Sequence, residues 1–169
     1  TYADFAQILP PNAISDGLDG ERATLSACSI DYKRFQSDSL LGTYVTERDA
    51  IRAFDAMHPI TTNLMDTYEG ADYFRWGREM DVISWDDYPF PHTTPSDNAF
   101  KHDLMRGVGD GRPFMLMEST PNQTNWQECN VLRAPGRMRA ESYQAVAHGA
   151  DTVQYFQLKQ SRGGFEKYH

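Results

Sequence analysis

The chain has 169 residues, 40% of them hydrophobic, which is enough for a packed core and too many for a disordered segment. A net charge of −8, a pI near 5.0 and the lack of any Lys/Arg cluster exclude a nucleic-acid partner, because a phosphate backbone requires a basic patch. No apolar run reaches the ~20 residues that span a bilayer, and the amino terminus lacks a basic stretch followed by an apolar one, so neither membrane insertion nor a secretory leader is expected.

In chain order, Tyr2 to Leu9 reads as a short amphipathic helix stopped by Pro10-Pro11, a pair that cannot continue a helix. Asn12 to Ser29 is a Gly-, Asp- and Ser-rich loop. Tyr32, Phe35, Leu40, Leu41, Tyr44, Val45, Ile51 and Phe54 recur at helical spacing and predict one long helix over Asp31 to Met57, closed by His58-Pro59. A β-rich run, Ile60 to Met65, follows. The alternation continues with a helix over Tyr73 to Arg78, a strand over Val82 to Trp85, a helix over Asn98 to Gly107 and a strand over Phe114 to Met117. A helix over Arg137 to His148 and a strand over Thr152 to Phe156 complete it.

Strands separated by helices predict right-handed crossovers and a parallel sheet, so the class is α/β. No Gly-rich dinucleotide turn follows any strand, which favours a (β/α)8 TIM barrel over a doubly wound sheet. Four strands are half of such a barrel; against a full barrel of about 250 residues, the chain supplies about strands five to eight. It starts at Thr1, without Met, and stops at His169 just after Gly163-Gly164. Residues 1–169 therefore read as a partial catalytic barrel domain, truncated at both ends.

The most informative stretch is Arg112 to Trp126, RPFMLMESTPNQTNW. Phe114, Met115, Leu116 and Met117 form a continuous apolar run expected to be buried on both faces, and Glu118 ends it. A carboxylate at the carboxyl end of a parallel strand lies where barrel enzymes gather their chemistry. The loop that follows carries Thr120, Asn122, Gln123, Asn125 and Trp126, side chains suited to hydroxyl-rich ligands, so the pattern points to sugar chemistry. A strand-end Glu can also be a salt-bridge residue and a loop Trp a packing residue.

The string Glu118-Ser119-Thr120-Pro121-Asn122-Gln123-Thr124-Asn125-Trp126 resembles the nucleophile motif of glycoside hydrolase family 42, the β-galactosidases, in which a strand-end Glu precedes a T-P-x-Q-x-N-W loop. The blocks FAQILPP, SIDYKRFQSD, TTNLM, SWDDYP, HDLMRG, YQAVAHGADTVQYFQ and QSRGGFEKYH extend the resemblance over essentially the whole chain. It implies a (β/α)8 barrel that cleaves terminal non-reducing β-D-galactosides with retention, with Glu118 as nucleophile. By the same resemblance Tyr88, in Ser84-Trp85-Asp86-Asp87-Tyr88-Pro89, bonds the nucleophile side of the sugar, Trp126 is a sugar platform, and Glu166 and His169 hold sugar hydroxyls.

Retention needs two carboxyl groups about 5–5.5 Å apart. The family's acid/base is the Glu of an Asn-Glu pair, and no Asn-Glu dipeptide occurs here, so the acid/base is expected outside the chain and the isolated stretch is expected to be inactive. The family's zinc-binding cysteines also lie upstream; no cofactor or metal is assigned within this chain, and zinc is a question for the full-length protein. The resemblance further implies a homo-oligomer, a trimer, for that protein. Asp86 and Asp87, adjacent but without a third ligand at useful spacing, read as residues that cap the loop and bond to groups around the site rather than as a metal site. Asn63 and Asn125 are equally suited to bracing loops or touching sugar. His148, before Gly149, suits a helix carboxyl end. Arg162-Gly163-Gly164 lacks the Lys and Ser/Thr of a P-loop. Cys28 and Cys129, with no CxxC spacing, indicate neither a zinc knuckle nor a disulfide framework, and point to a reducing compartment, the cytoplasm. Two other functions fit the same residues: an α-L-arabinopyranosidase, whose sugar is galactose without its hydroxymethyl group, and a non-catalytic carbohydrate-binding barrel piece.

Overall fold

A computed structural model of the chain describes residues 3–10, 26–124 and 126–167. The described residues fall into two compact units, one within residues 1–54 and 69–72, the other within residues 55–68 and 73–169.

The first unit is organised by α1 (Ser26–Arg52), which follows a single 3-10 turn at Phe5–Gln7. Leu41 and Tyr44 form its buried stripe, and the buried Ser37 hydroxyl accepts the Asp72 backbone N–H at 2.9 Å. Lys33 pairs with Glu69 at 2.9 Å across the same unit. The helix stops at Arg52, short of the expected Met57, and the Phe54 N–H returns to the Ile51 carbonyl. The competing signal is Asp55, whose carboxylate accepts the N–H groups of Met57 and His58, a turn that a side chain offers in place of further helix.

The second unit is a four-stranded sheet with helices between its strands: β1 (Asn63–Met65), α2 (Tyr73–Glu79), β2 (Ile83–Asp87), α3 (Pro95–Val108), β3 (Phe114–Ser119), α4 (Arg137–Ala147) and β4 (Ala150–Val153). All neighbouring strands are parallel and their spatial order is β1-β2-β3-β4. A doubly wound sheet reverses its order at a switch point, whereas a barrel adds each strand beside the last, so this order is that of four consecutive βα units of a (β/α)8 barrel.

The core lies between sheet and helices. Trp85, Ile83, Phe114 and Leu116 are buried with Met105 and Val108 of α3, Trp76 of α2 and Ala145 of α4. Gly77 lets α2 meet α3: a Cβ there would stand 2.5 Å from the Val108 carbonyl oxygen. His102 of α3 is buried in this core, stacked on Phe114 with centroids 5.6 Å apart and edge-on to Trp85 at 5.2 Å. Burial, then the neighbouring His148, push its imidazole down to about 4, so it packs as a neutral ring.

Several boundaries differ from the expected ones for identifiable reasons. β1 begins at Asn63 rather than Ile60, because residues 60–62 bind β2 and the turn before it partly through side chains: Ile60 N–H to the Asp81 carboxylate at 2.7 Å, and the Ser84 hydroxyl of β2 to the Thr62 carbonyl at 2.9 Å. α3 begins three residues early, since Thr94 and Asp97 cap each other reciprocally and Pro95 occupies the first turn. Pairing along β4 continues past Val153 through the N–H groups of Gln154 and Phe156, which reach the carbonyls of Leu116 and Ser119. β3 runs through Glu118 to Ser119, and only one of its faces is fully buried; Met115 and Met117 stay partly exposed on the other.

Candidate active site

The carboxyl ends of β1, β2 and β3 open into a cleft of about 390 Å3 lined by Met65, Asp66, Asp86, Tyr88, Phe90, Glu118 and Trp126. Parallel strands end together on one side of a sheet, so a residue near the end of each faces the same space. A shift in register brings the polar members into line. Trp85 pairs with Leu116, but Asp86 pairs with Glu118, so Met117 is the extra residue of a bulge in β3. In a regular strand Glu118 would share the face of Leu116, which is packed against helices. The bulge turns it to the face of Asp86 and the cleft.

Tyr88, the residue after β2, donates its hydroxyl to Glu118 Oε2 at 2.6 Å, a short bond of the kind a carboxylate accepts. Burial, the bond to Glu118, and the negative charges of Glu118, Asp86 and Glu166 all push the phenol far above its usual range, so it remains a donor. The Trp126 indole meets the Tyr88 ring edge-on at 5.5 Å and the Phe90 ring edge-on at 6.0 Å, while 54% of its surface stays open. The Gln127 amide reaches the Tyr88 and Pro89 carbonyls and ties the Trp126 loop to the end of β2.

Asp86 and Asp87 are strand residues rather than loop caps. Asp86 accepts from the Asn63 side-chain amide and faces the cleft; burial, opposed by that bond and reinforced by Glu118, raises its carboxyl to about 6. Asp87 points to the other face, is buried, and is likewise raised to about 6 by burial, with Lys101 acting against the shift. Asn63 is thus a brace for Asp86. Asn122 braces the Trp126 loop, accepting the Arg133 N–H at 2.9 Å, and Thr120 is buried with its hydroxyl on the Gln123 carbonyl, so neither meets the cleft as a ligand group. The same loop is anchored from α4, where Glu141 pairs with both Arg133 and Arg137. His148 binds Asp103 at 2.7 Å at the end of α4.

Of the residues singled out in the sequence, the structure gathers Glu118, Tyr88 and Trp126 in one cleft. Glu166 is exposed in a carboxyl-terminal turn, near enough for its charge to act on Tyr88. His169 and Asn125 lie outside the described residues. Asp86 and Asn63 were undervalued in the sequence because the signal for them is strand register. Among the described residues, no group of three His, Cys, Asp or Glu side chains is placed to hold a metal ion, and no helix is long and apolar enough to cross a membrane.

This chain is similar throughout to known proteins. The glycoside hydrolase family 42 model, described as beta-galactosidase, matches residues 1–169. The β-galactosidase BgaP of Planococcus sp. (strain L4) is 53% identical over 169 residues, covering all of this chain and 25% of that protein. The β-galactosidase LacZ of Lactobacillus acidophilus is 45% identical over 172 residues, covering all of this chain and 26% of its own length. Among solved structures, a β-galactosidase from Bacillus circulans sp. alkalophilus superposes with a TM-score of 0.94 at 53% identity, over 100% of this chain and 25% of that one. The cold-adapted β-galactosidase from Rahnella sp. R3 superposes with a TM-score of 0.88 at 39% identity, over 100% and 25%. The chain spans about a quarter of the length of the relatives it matches.

Proposed function

Because the chain belongs to the glycoside hydrolase family 42 β-galactosidases, we propose that it carries the nucleophile half of a retaining active site acting on terminal β-D-galactosides. The observation that supports this reading best is the bond from Tyr88 to Glu118 Oε2 at 2.6 Å, within a cleft walled by Trp126.

In the proposed reaction Glu118 attacks the anomeric carbon of the galactoside, and the leaving-group oxygen takes a proton from an acid/base supplied from outside residues 1–169. Water, deprotonated by the same group, then releases galactose from the ester on Glu118 with overall retention. Tyr88 orients the attacking carboxylate through one of its two oxygens. The Trp126 indole covers the apolar face of the sugar, while Glu166 and His169 take its hydroxyls. The trimeric assembly expected from the resemblance and the cytoplasmic setting expected from the spacing of Cys28 and Cys129 belong to the same reading, and light scattering of the complete protein tests the former.

The test is Glu118→Gly in the complete protein. Turnover is expected to collapse, because no carboxylate remains to form the ester, and azide is expected to restore cleavage of an aryl galactoside with formation of the α-galactosyl azide. Activity equal to the unaltered protein's overturns the assignment.

A further inference from the structure

The cleft holds a second carboxylate that this mechanism does not use. Asp86 is in register with Glu118 on the neighbouring strand, turned to the same face by the β3 bulge, and lines the same cleft. Its Oδ2 accepts from Asn63 of β1, while its Oδ1 is buried and has no hydrogen-bond partner among the described residues. A buried carboxylate oxygen without a donor is costly unless something offsets it.

We propose that Asp86, positioned by Asn63, supplies a fixed negative charge beside Glu118 that stabilises the positive charge developing on the sugar ring during glycosyl transfer. This rests on the retaining reading above. Such a transition state is oxocarbenium-like, so a fixed anion that is half shielded from water favours it over the neutral ground-state sugar. The structure fixes this anion from two strands, Asp86 in β2 and its brace in β1.

The groups facing Asp86 explain why its charge is conditional. Glu118 of β3 repels it, Asp66 beyond β1 is paired with Lys101 of α3, Tyr88 and Tyr73 of α2 are neutral phenols, and Asn63 supplies a stabilising bond. The carboxylate therefore loses its charge at the mildly acidic edge of neutrality, about 6. The acidic limb of the pH profile then carries the loss of the Asp86 charge.

The experiment is the pH dependence of kcat and kcat/KM for Asp86→Asn and Asn63→Ala in the complete protein, with nitrophenyl galactoside as substrate. Asp86→Asn keeps the shape and removes the charge: kcat is expected to fall roughly tenfold or more. Its acidic limb is expected to move to lower pH, because the amide at position 86 has no charge to lose in that range. Asn63→Ala removes the bond that favours the charged form, and its limb is expected to move to higher pH, by about one unit. Opposite displacements are a signature that general loosening of the site does not produce. A fall in kcat with an unmoved limb, or an Asp86→Asn profile that superimposes on the unaltered one, overturns the proposal. If Asp86→Asn does not fold, the Asn63→Ala limb decides alone, its upward move supporting the proposal and its identity with the unaltered limb overturning it. Glu118→Gly with azide separates the two levels: if azide rescues that variant while Asp86→Asn behaves as unaltered, only the role of Asp86 fails.

Discussion

Replacing Tyr88 with Phe removes one oxygen from the site and leaves everything else the ring does. The Phe ring keeps the edge contact with Trp126, set at 5.5 Å, and the packing at the end of β2, so the change isolates the hydroxyl that donates to Glu118 at 2.6 Å. A bond of that length to a carboxylate is charge-assisted, and such bonds contribute about 1.5–3 kcal/mol net. At about 1.4 kcal/mol per decade, kcat/KM on nitrophenyl galactoside is expected to fall between about tenfold and 150-fold in the complete protein. The loss should appear mainly in kcat, since the hydroxyl orients the nucleophile rather than holding the sugar. A thermal melt close to that of the unaltered protein confirms that the ring still packs. If kcat/KM of Tyr88→Phe stays within twofold with both lactose and the aryl substrate, the hydroxyl does not position Glu118 and the reasoning fails.

Trp126→Ala is expected to raise KM and lower kcat by an aromatic contact of about 1–3 kcal/mol, judged by analogy with stacking on nucleobases, while barely moving the melting temperature because 54% of the indole is already exposed; unchanged kinetics return the residue to a packing role. His102 gives a pH effect on stability. Its folded value, about 4, lies below the ordinary 6.5, so the unfolded chain binds the proton first, and stability present above pH 6.5 is lost as pH falls toward 4, by up to about 3 kcal/mol. Asp86 and Asp87, raised to about 6, act in the opposite direction, gaining stability between pH 6 and 4. Urea midpoints measured from pH 7 to 4 for the complete protein and its His102→Gln variant separate them: the unaltered protein should lose its advantage over the variant as pH falls, and parallel curves contradict the buried neutral ring.

Much of this protein was legible from the sequence. Apolar periods of 3.6 and 2 residues separated by Pro and Gly are enough to place four strands and four helices in order, and the Glu118 to Trp126 string marks the site, because a strand, its terminal carboxylate and the following loop are contiguous in the chain. What was hidden depends on neighbours distant in sequence. The bulge that turns Glu118 toward the cleft exists only as a mismatch between β2 and β3, and no local pattern in Phe114 to Ser119 announces it. Asp86 and Asp87 look alike as a dipeptide; strand alternation sends one into the cleft beside Glu118 and buries the other on the helix side. Asn63 and Tyr88 acquire their partners 23 and 30 residues away. His102, an ordinary polar residue of a helix in the sequence, becomes a core ring once Trp85 and Phe114 close around it. Side-chain chemistry and local period are properties of the chain, whereas register, face and proton affinity are set by which strands and helices meet, and only the tertiary structure decides that.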